Sequence, residues 1–117
     1  VATRFDLVTF DSPAPAEAAA FWCAALHLHE TEREDGDRWI VLSEGDGTRR
    51  IGLQRGSVRP GSVHLDLVCS MVEFDEERVR LMGCGAAELA PSRTMGYGRI
   101  ANLADPDGNP FDLCAYV

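Results

Sequence analysis

His64, Asp66 and Asp112 are the residues of this chain whose types and placement suggest chemistry. An imidazole set among carboxylates can act as a general base, share a proton, or help bind a divalent cation. Residues 62–69 alternate, with Val63, Leu65, Leu67 and Cys69 apolar and His64, Asp66 and Val68 between them. Residues 110–117 alternate too, Phe111, Leu113, Ala115 and Val117 against Pro110, Asp112, Cys114 and Tyr116. Side chains along a strand point to opposite faces in turn, so each strand has one apolar face suited to cover by a helix. His64, Asp66 and Asp112 are then turned the other way. The plainer alternative has equal claim: His64 is a hydrogen-bonded polar residue and Asp112 a charge at a surface.

The elements that would hold these residues can be read in order. Arg4 to Asp11 is β-rich, and Asp11-Ser12-Pro13 signals a helix start, with Asp or Ser as cap. Ala14 to Leu26 reads as helix, with Phe21, Trp22, Ala25 and Leu26 on a buried face. Strands are expected at Leu28–Glu32, Arg38–Ser43 and Arg49–Arg55, followed by a linker at Gly56–Gly61. Ser62–Cys69 is the clearest strand, and Met71 or Val72 to Met82 the second helix, burying Phe74, Val79, Leu81 and Met82. Gly83 and Gly85 should end it. Ala86–Ala90, Arg99–Ala104 and Pro110–Val117 complete the strands, Pro91–Tyr97 reads as a loop, and the glycine-bearing Ser92–Gly98 could act as a lid. Asp105-Pro106-Asp107-Gly108-Asn109 is a dense turn signal. A weaker copy, Glu44-Gly45-Asp46-Gly47, lies about sixty residues earlier, and with one residue of slack Ile51-Gly52-Leu53 falls on Phe111-Asp112-Leu113. The order is β-α-β-β-β twice, an internal repeat. We therefore expect one α+β domain made of module 1 (1–57) and module 2 (61–117).

Composition narrows the functional classes. The 117-residue chain has a net charge of −8, which disfavours nucleic acid and anionic membranes and mildly favours cationic ligands. No apolar run approaches the ~20 residues that span a bilayer, and no signal peptide is visible. Cys23, Cys69, Cys84 and Cys114 are widely spaced without a C-x-x-C, as expected of reduced thiols in a cytoplasmic protein.

The repeat resembles the vicinal oxygen chelate superfamily, which includes glyoxalase I, extradiol dioxygenases, and bleomycin and fosfomycin resistance proteins. The marks are Phe21-Trp22, His64-Leu65-Asp66-Leu67, Gly96-Tyr97-Gly98-Arg99 and Asp105-Pro106-Asp107-Gly108-Asn109, in that order. The resemblance implies an open, cup-like mixed sheet with a helix outside each half, a ligand cleft between the modules, and pairing into a homodimer. It also implies metal ligands from strands 1, 4, 5 and 8. Overlaying the halves puts Leu7, Gly52, His64 and Asp112 in those slots, so only two can donate. Gln54, two residues along the same face, is a poor transition-metal ligand. A tightly bound metal is therefore not expected; Zn, Ni, Mn or Fe at His64 and Asp112 would be under-ligated.

Other cleft-side candidates for ligand contact are Thr9, Arg50, Gln54, Asp66 and Tyr116, with Tyr97 and Arg99 near the loop. His27 and His29 read as surface, Glu73, Asp75, Glu76 and Glu77 as a solvated first helical turn, and Phe21 and Trp22 as core. Three functions compete. One is a metal-free protein that binds a small organic molecule. A second is a metal-dependent lyase, isomerase or dioxygenase with catalytic His64 and Asp112. The third is a non-catalytic dimeric regulatory module.

Overall fold

The computed structural model describes residues 5–61 and 64–117. The expected strand start at Arg4, and Ser62 and Val63 of the fifth strand, lie outside the described residues. Contacts divide the chain into two compact units, with the boundary between Val58 and Arg59.

The first unit runs β1 (Val8–Ser12), α1 (Pro15–Leu26), β2 (His29–Glu34), β3 (Trp39–Ser43) and β4 (Arg49–Arg55). Its open sheet has the order β1-β4-β3-β2, with β1 parallel to β4 and the other pairs antiparallel. Helix α1 starts two residues later than the Asp11-Ser12-Pro13 signal suggests. Ala14 holds the cap position without a side-chain bond, while the Ser12 hydroxyl accepts the Ala14 amide at 3.0 Å and Pro15 begins the helix. Ala18, Phe21, Trp22 and Ala25 form the buried face of α1, and Phe10, Ile40, Leu42, Ile51 and Leu53 supply the sheet side of the core. The Trp22 ring stacks on Phe10 and meets Phe21 edge-on.

The second unit repeats the plan with β5 (Leu65–Val68), α2 (Phe74–Cys84), β6 (Ala87–Met95), β7 (Gly98–Ala104) and β8 (Pro110–Tyr116). The sheet order is β5-β8-β7-β6, again with one parallel pair, β5 with β8. The fold is thus α+β, two βαβββ modules whose sheets do not close. Phe111, Leu113 and Ala115 are buried, as the alternation predicts, whereas Val117, past the end of the strand, is exposed; Leu103 on β7 is buried too, and Leu65 and Leu67 are partly so.

Two expectations for this unit need correction. Val79 and Met82 are 60% and 38% exposed, whereas Phe74 and Leu81 are fully covered. At 3.6 residues per turn Val79 lies about 140° round the helix from Phe74, so a narrow Phe74–Leu81 stripe leaves it outside. Gly83 is helical, and Gly85, at φ 123°, is the residue that ends α2. The second correction concerns Pro91–Tyr97. β6 continues to Met95 and turns through Gly96-Tyr97 into β7, so Ser92–Gly98, the expected lid, is edge strand, a tight turn and the first residue of β7. Proline is tolerated there because Pro91 falls where the ladder skips from Ala90 to Arg93.

The two turns are built alike. In the second, the Asp105 amide donates to Asn109 carbonyl at 2.9 Å and the Gly108 amide to Asp105 carbonyl at 2.9 Å. In the first, the Glu44 amide donates to Thr48 carbonyl at 2.8 Å and the Gly47 amide to Glu44 carbonyl at 2.9 Å. Gly47 and Gly108 take the positive φ the turn requires, 90° and 88°. The residue of slack is Arg50: the β3–β4 ladder passes from Leu42–Ile51 to Ser43–Arg49 and leaves it as a bulge.

Several carboxyls at or near the surface lie below their ordinary pKa of 3.8. Asp37 is held down by its bond to Arg55, Asp46 by the Thr48 amide, and Asp75 by Arg99. A depressed folded-state pKa contributes stability that is complete above the unfolded value and lost as pH falls through the folded one. Melting temperature should therefore hold steady above about pH 5 and fall below about pH 4. A melting temperature unchanged down to pH 2 would contradict this account. Among the described residues, no helix is long and apolar enough to cross a membrane.

Candidate functional site

The parallel pairing of β5 with β8 sets Asp66 directly opposite Asp112. His64 stands two residues before Asp66, and its Nε2 lies 3.4 Å from Asp66 Oδ1 and 3.8 Å from Asp112 Oδ2. One donor atom from each of the three residues falls within 4.8 Å of the others. His64 and Asp66 are largely exposed, whereas the Asp112 side chain is only 21% exposed. Its Oδ1 accepts from Asn102 Nδ2 at 2.7 Å, and Asn102 Oδ1 accepts from the Arg93 guanidinium at 2.7 Å. The arrangement is an imidazole held between two carboxylates, the inner one anchored from β7. A group of this kind can take a proton, bind a cationic or donor-bearing group, or offer donors to a metal.

The remaining predicted residues divide. Tyr116 and Tyr97 lie near each other at the end of β8, ring centres 6.0 Å apart. A hydrogen bond to Cys114, helped by desolvation and by the negative charge on Asp66, pushes the Tyr116 pKa up. Arg99 is turned elsewhere: it pairs with Asp75 at 3.0 Å and stacks 4.4 Å above the Phe74 ring. Its register partner is Ala115, on the helix side of β8, so it does not join the cluster. Thr9, Arg50 and Gln54 belong to the first unit. Thr9 is opposite Gly52, Gln54 is exposed opposite Trp39, and the Arg50 bulge pairs with Glu44 at 3.1 Å. Sequence reasoning missed Asn102 and Arg93. The available signal was a polar residue between Ala101 and Leu103, on the face that carries Asp112.

The registers make the two units comparable residue by residue. β1–β4 pairs Val8 with Ile51 and Thr9 with Gly52; β5–β8 pairs Leu65 with Phe111 and Asp66 with Asp112. Gly52 therefore matches Asp112, and Leu7 matches His64. A Cβ on Gly52 would stand 2.7 Å from the end of the Trp39 indole and 2.9 Å from Thr9 Oγ1. The indole occupies the space a ligand side chain would need. Of these matched positions, Leu7 and Gly52 offer no side-chain donor, whereas His64 and Asp112 do.

The family model described as a glyoxalase-like domain matches residues 7–114. No curated protein matches the chain. Among solved structures, a glyoxalase-related enzyme from Fulvimarina pelagi has TM-score 0.77 at 19% identity, over 97% of this chain and 88% of that one. A glyoxalase/bleomycin resistance protein/dioxygenase family enzyme from Burkholderia phytofirmans PsJN has TM-score 0.79 at 16% identity, over 96% and 98%. The fosfomycin resistance protein FosX from Listeria monocytogenes, complexed with Mn(II) and sulfate, has TM-score 0.77 at 19% identity, over 100% and 92%. At such identities the likeness is one of fold. With a family match across most of its length and the repeated βαβββ plan, the chain belongs to the glyoxalase-like domain family of the vicinal oxygen chelate superfamily.

Proposed function

We propose that the protein is a small-molecule binder whose two modules work as one glyoxalase-like domain without a tightly bound metal. The observation that supports it best is Gly52, closed over by Trp39 at the position that matches Asp112. A catalytic metal site commonly takes three protein ligands. Here two of the four family positions hold no donor. The ligand is an organic molecule bearing an ammonium, guanidinium or similar donor group, drawn to Asp66 and Asp112 by a chain of net charge −8. Tyr97 and Tyr116 offer rings beside the charges.

Two measurements test this. Protein purified without chelator should carry far less than one equivalent of Mn, Fe, Ni or Zn, and should bind each more weakly than about 1 μM, roughly 8 kcal/mol. A thermal-shift panel of small amines and guanidines should contain compounds that raise the melting temperature of the wild type and not of Asp112→Ala. A ligand at a hundredfold its dissociation constant contributes about 2.7 kcal/mol. A stoichiometric metal, or a panel with no response, sinks the reading.

The His64–Asp66–Asp112 group favours a second reading, a metal-dependent lyase, isomerase or dioxygenase using His64 as base or ligand. Stoichiometric metal together with turnover abolished by His64→Ala would establish it instead. The proposal also places the protein in the cytoplasm as a homodimer, and light scattering giving the mass of a single chain would remove the dimer.

A further inference from the structure

We propose that Asn102 and Arg93 are positioning residues for Asp112, holding its carboxylate aimed at His64. This rests on the reading of His64 and Asp112 as the working site.

Asp66, Asp112 and Asn102 form one row across β5, β8 and β7, each directly opposite the next. Two carboxylates opposite each other repel, so the row needs a donor on its inner side. Asn102 supplies it. An amide has a donor end and an acceptor end of nearly the same shape, and turning it over would set oxygen against oxygen at Asp112. Arg93 removes that choice. A guanidinium only donates, so the end of Asn102 that meets Arg93 at 2.7 Å must be the oxygen, and the NH2 is left for Asp112. With Oδ1 engaged, Asp112 presents Oδ2 to His64.

The first unit serves as an internal control. Gly52 matches Asp112, and the residue opposite Gly52 on β3 is Val41, which matches Asn102. The residue opposite Trp39 is Glu34, which matches Arg93. Where the carboxylate is missing, the amide and the guanidinium are missing too. Packing of the shared scaffold therefore does not require Asn102, and valine is accommodated at its position.

The sequence makes the test tractable, because Asn102, Asn109 and Gln54 are its only side-chain amides. In 15N spectra of the ligand-free chain at constant pH, Asp112→Ala should move the Asn102 amide pair and speed its solvent exchange about tenfold. Arg93→Met should do the same, and Arg93→Lys should restore the wild-type signal. Asn102→Val, the residue of the other module, should shift the His64 ring 15N resonances as Asp112→Ala does, with little change in melting temperature. An Asn102 pair indifferent to both Asp112→Ala and Arg93→Met overturns the proposal. So does a His64 ring indifferent to Asn102→Val. No added ligand enters these spectra, so an empty thermal-shift panel would remove the binding function and leave this result standing.

Discussion

Trp22→Ala is expected to lower the free energy of unfolding by about 3–5 kcal/mol, read from urea denaturation. The side chain is 1% exposed, stacked on Phe10 at 5.7 Å and edge-on to Phe21 at 5.0 Å. Removing it opens a cavity bounded by a strand and a helix that are themselves held in place by the same ring. The loss of transfer free energy and of dispersion contacts add, because neither neighbour can move in without leaving its own packing. Trp39→Ala is the matched comparison. That indole lies over Gly52 on the other face of the sheet and is only partly buried, so its removal should cost clearly less. Equal losses at the two tryptophans would show that the helix-side core is not where the stability of this unit resides.

The second large effect is expected from Gly98→Ala. Gly98 opens β7 at φ 144°, opposite Tyr116, and a Cβ there would fall inside contact distance of the Ala115 carbonyl oxygen. The obstacle is backbone on the adjacent strand, which cannot rotate away as a side-chain end can. Both conformational strain and a forced separation of β7 from β8 follow, and a cost above about 4 kcal/mol, or failure to fold, is the expected outcome. Gly83→Ala, where the added methyl meets nothing within 4 Å, should be neutral or stabilising. The site depends on this glycine at a distance. A one-residue slip of β8 against β7 would turn Asp112 to the helix side and separate it from Asn102. A Gly98→Ala variant as stable as wild type would mean that β7 and β8 can separate there at little cost.

Much of this arrangement was legible in the sequence because it rests on short-range signals. The Asp105–Asn109 turn declares itself through Asp, Pro and Gly, and its copy at Glu44–Thr48 has the same backbone bonds. The alternation in 110–117 separates Phe111, Leu113 and Ala115 from Asp112 without any knowledge of partners. The overlay that set Gly52 against Asp112 is the one the strand registers show. What was hidden depends on pairing. Asn102 becomes interesting only when known to lie opposite Asp112, and Arg93 only when β6 is known to run past Pro91. That strand was hard to see because two irregularities break its alternation, and an edge strand needs no apolar pattern on its outer side. Counting Val79 and Met82 inside supposes a broad buried stripe on helix α2. The helix buries one residue in each of two turns.

One feature of the second sheet bears on how the protein is made. β8 lies between β5 and β7, so the last strand in the order is an interior one. Until Pro110–Tyr116 has left the ribosome, β5 has no neighbour in its sheet and the Asp66 side of the site has no inner wall. The first unit, by contrast, has all its strands once Arg55 is out. Synthesis from the amino end thus gives the first module a head start, while the half that holds His64, Asp66 and Asp112 waits on its final seven-residue strand.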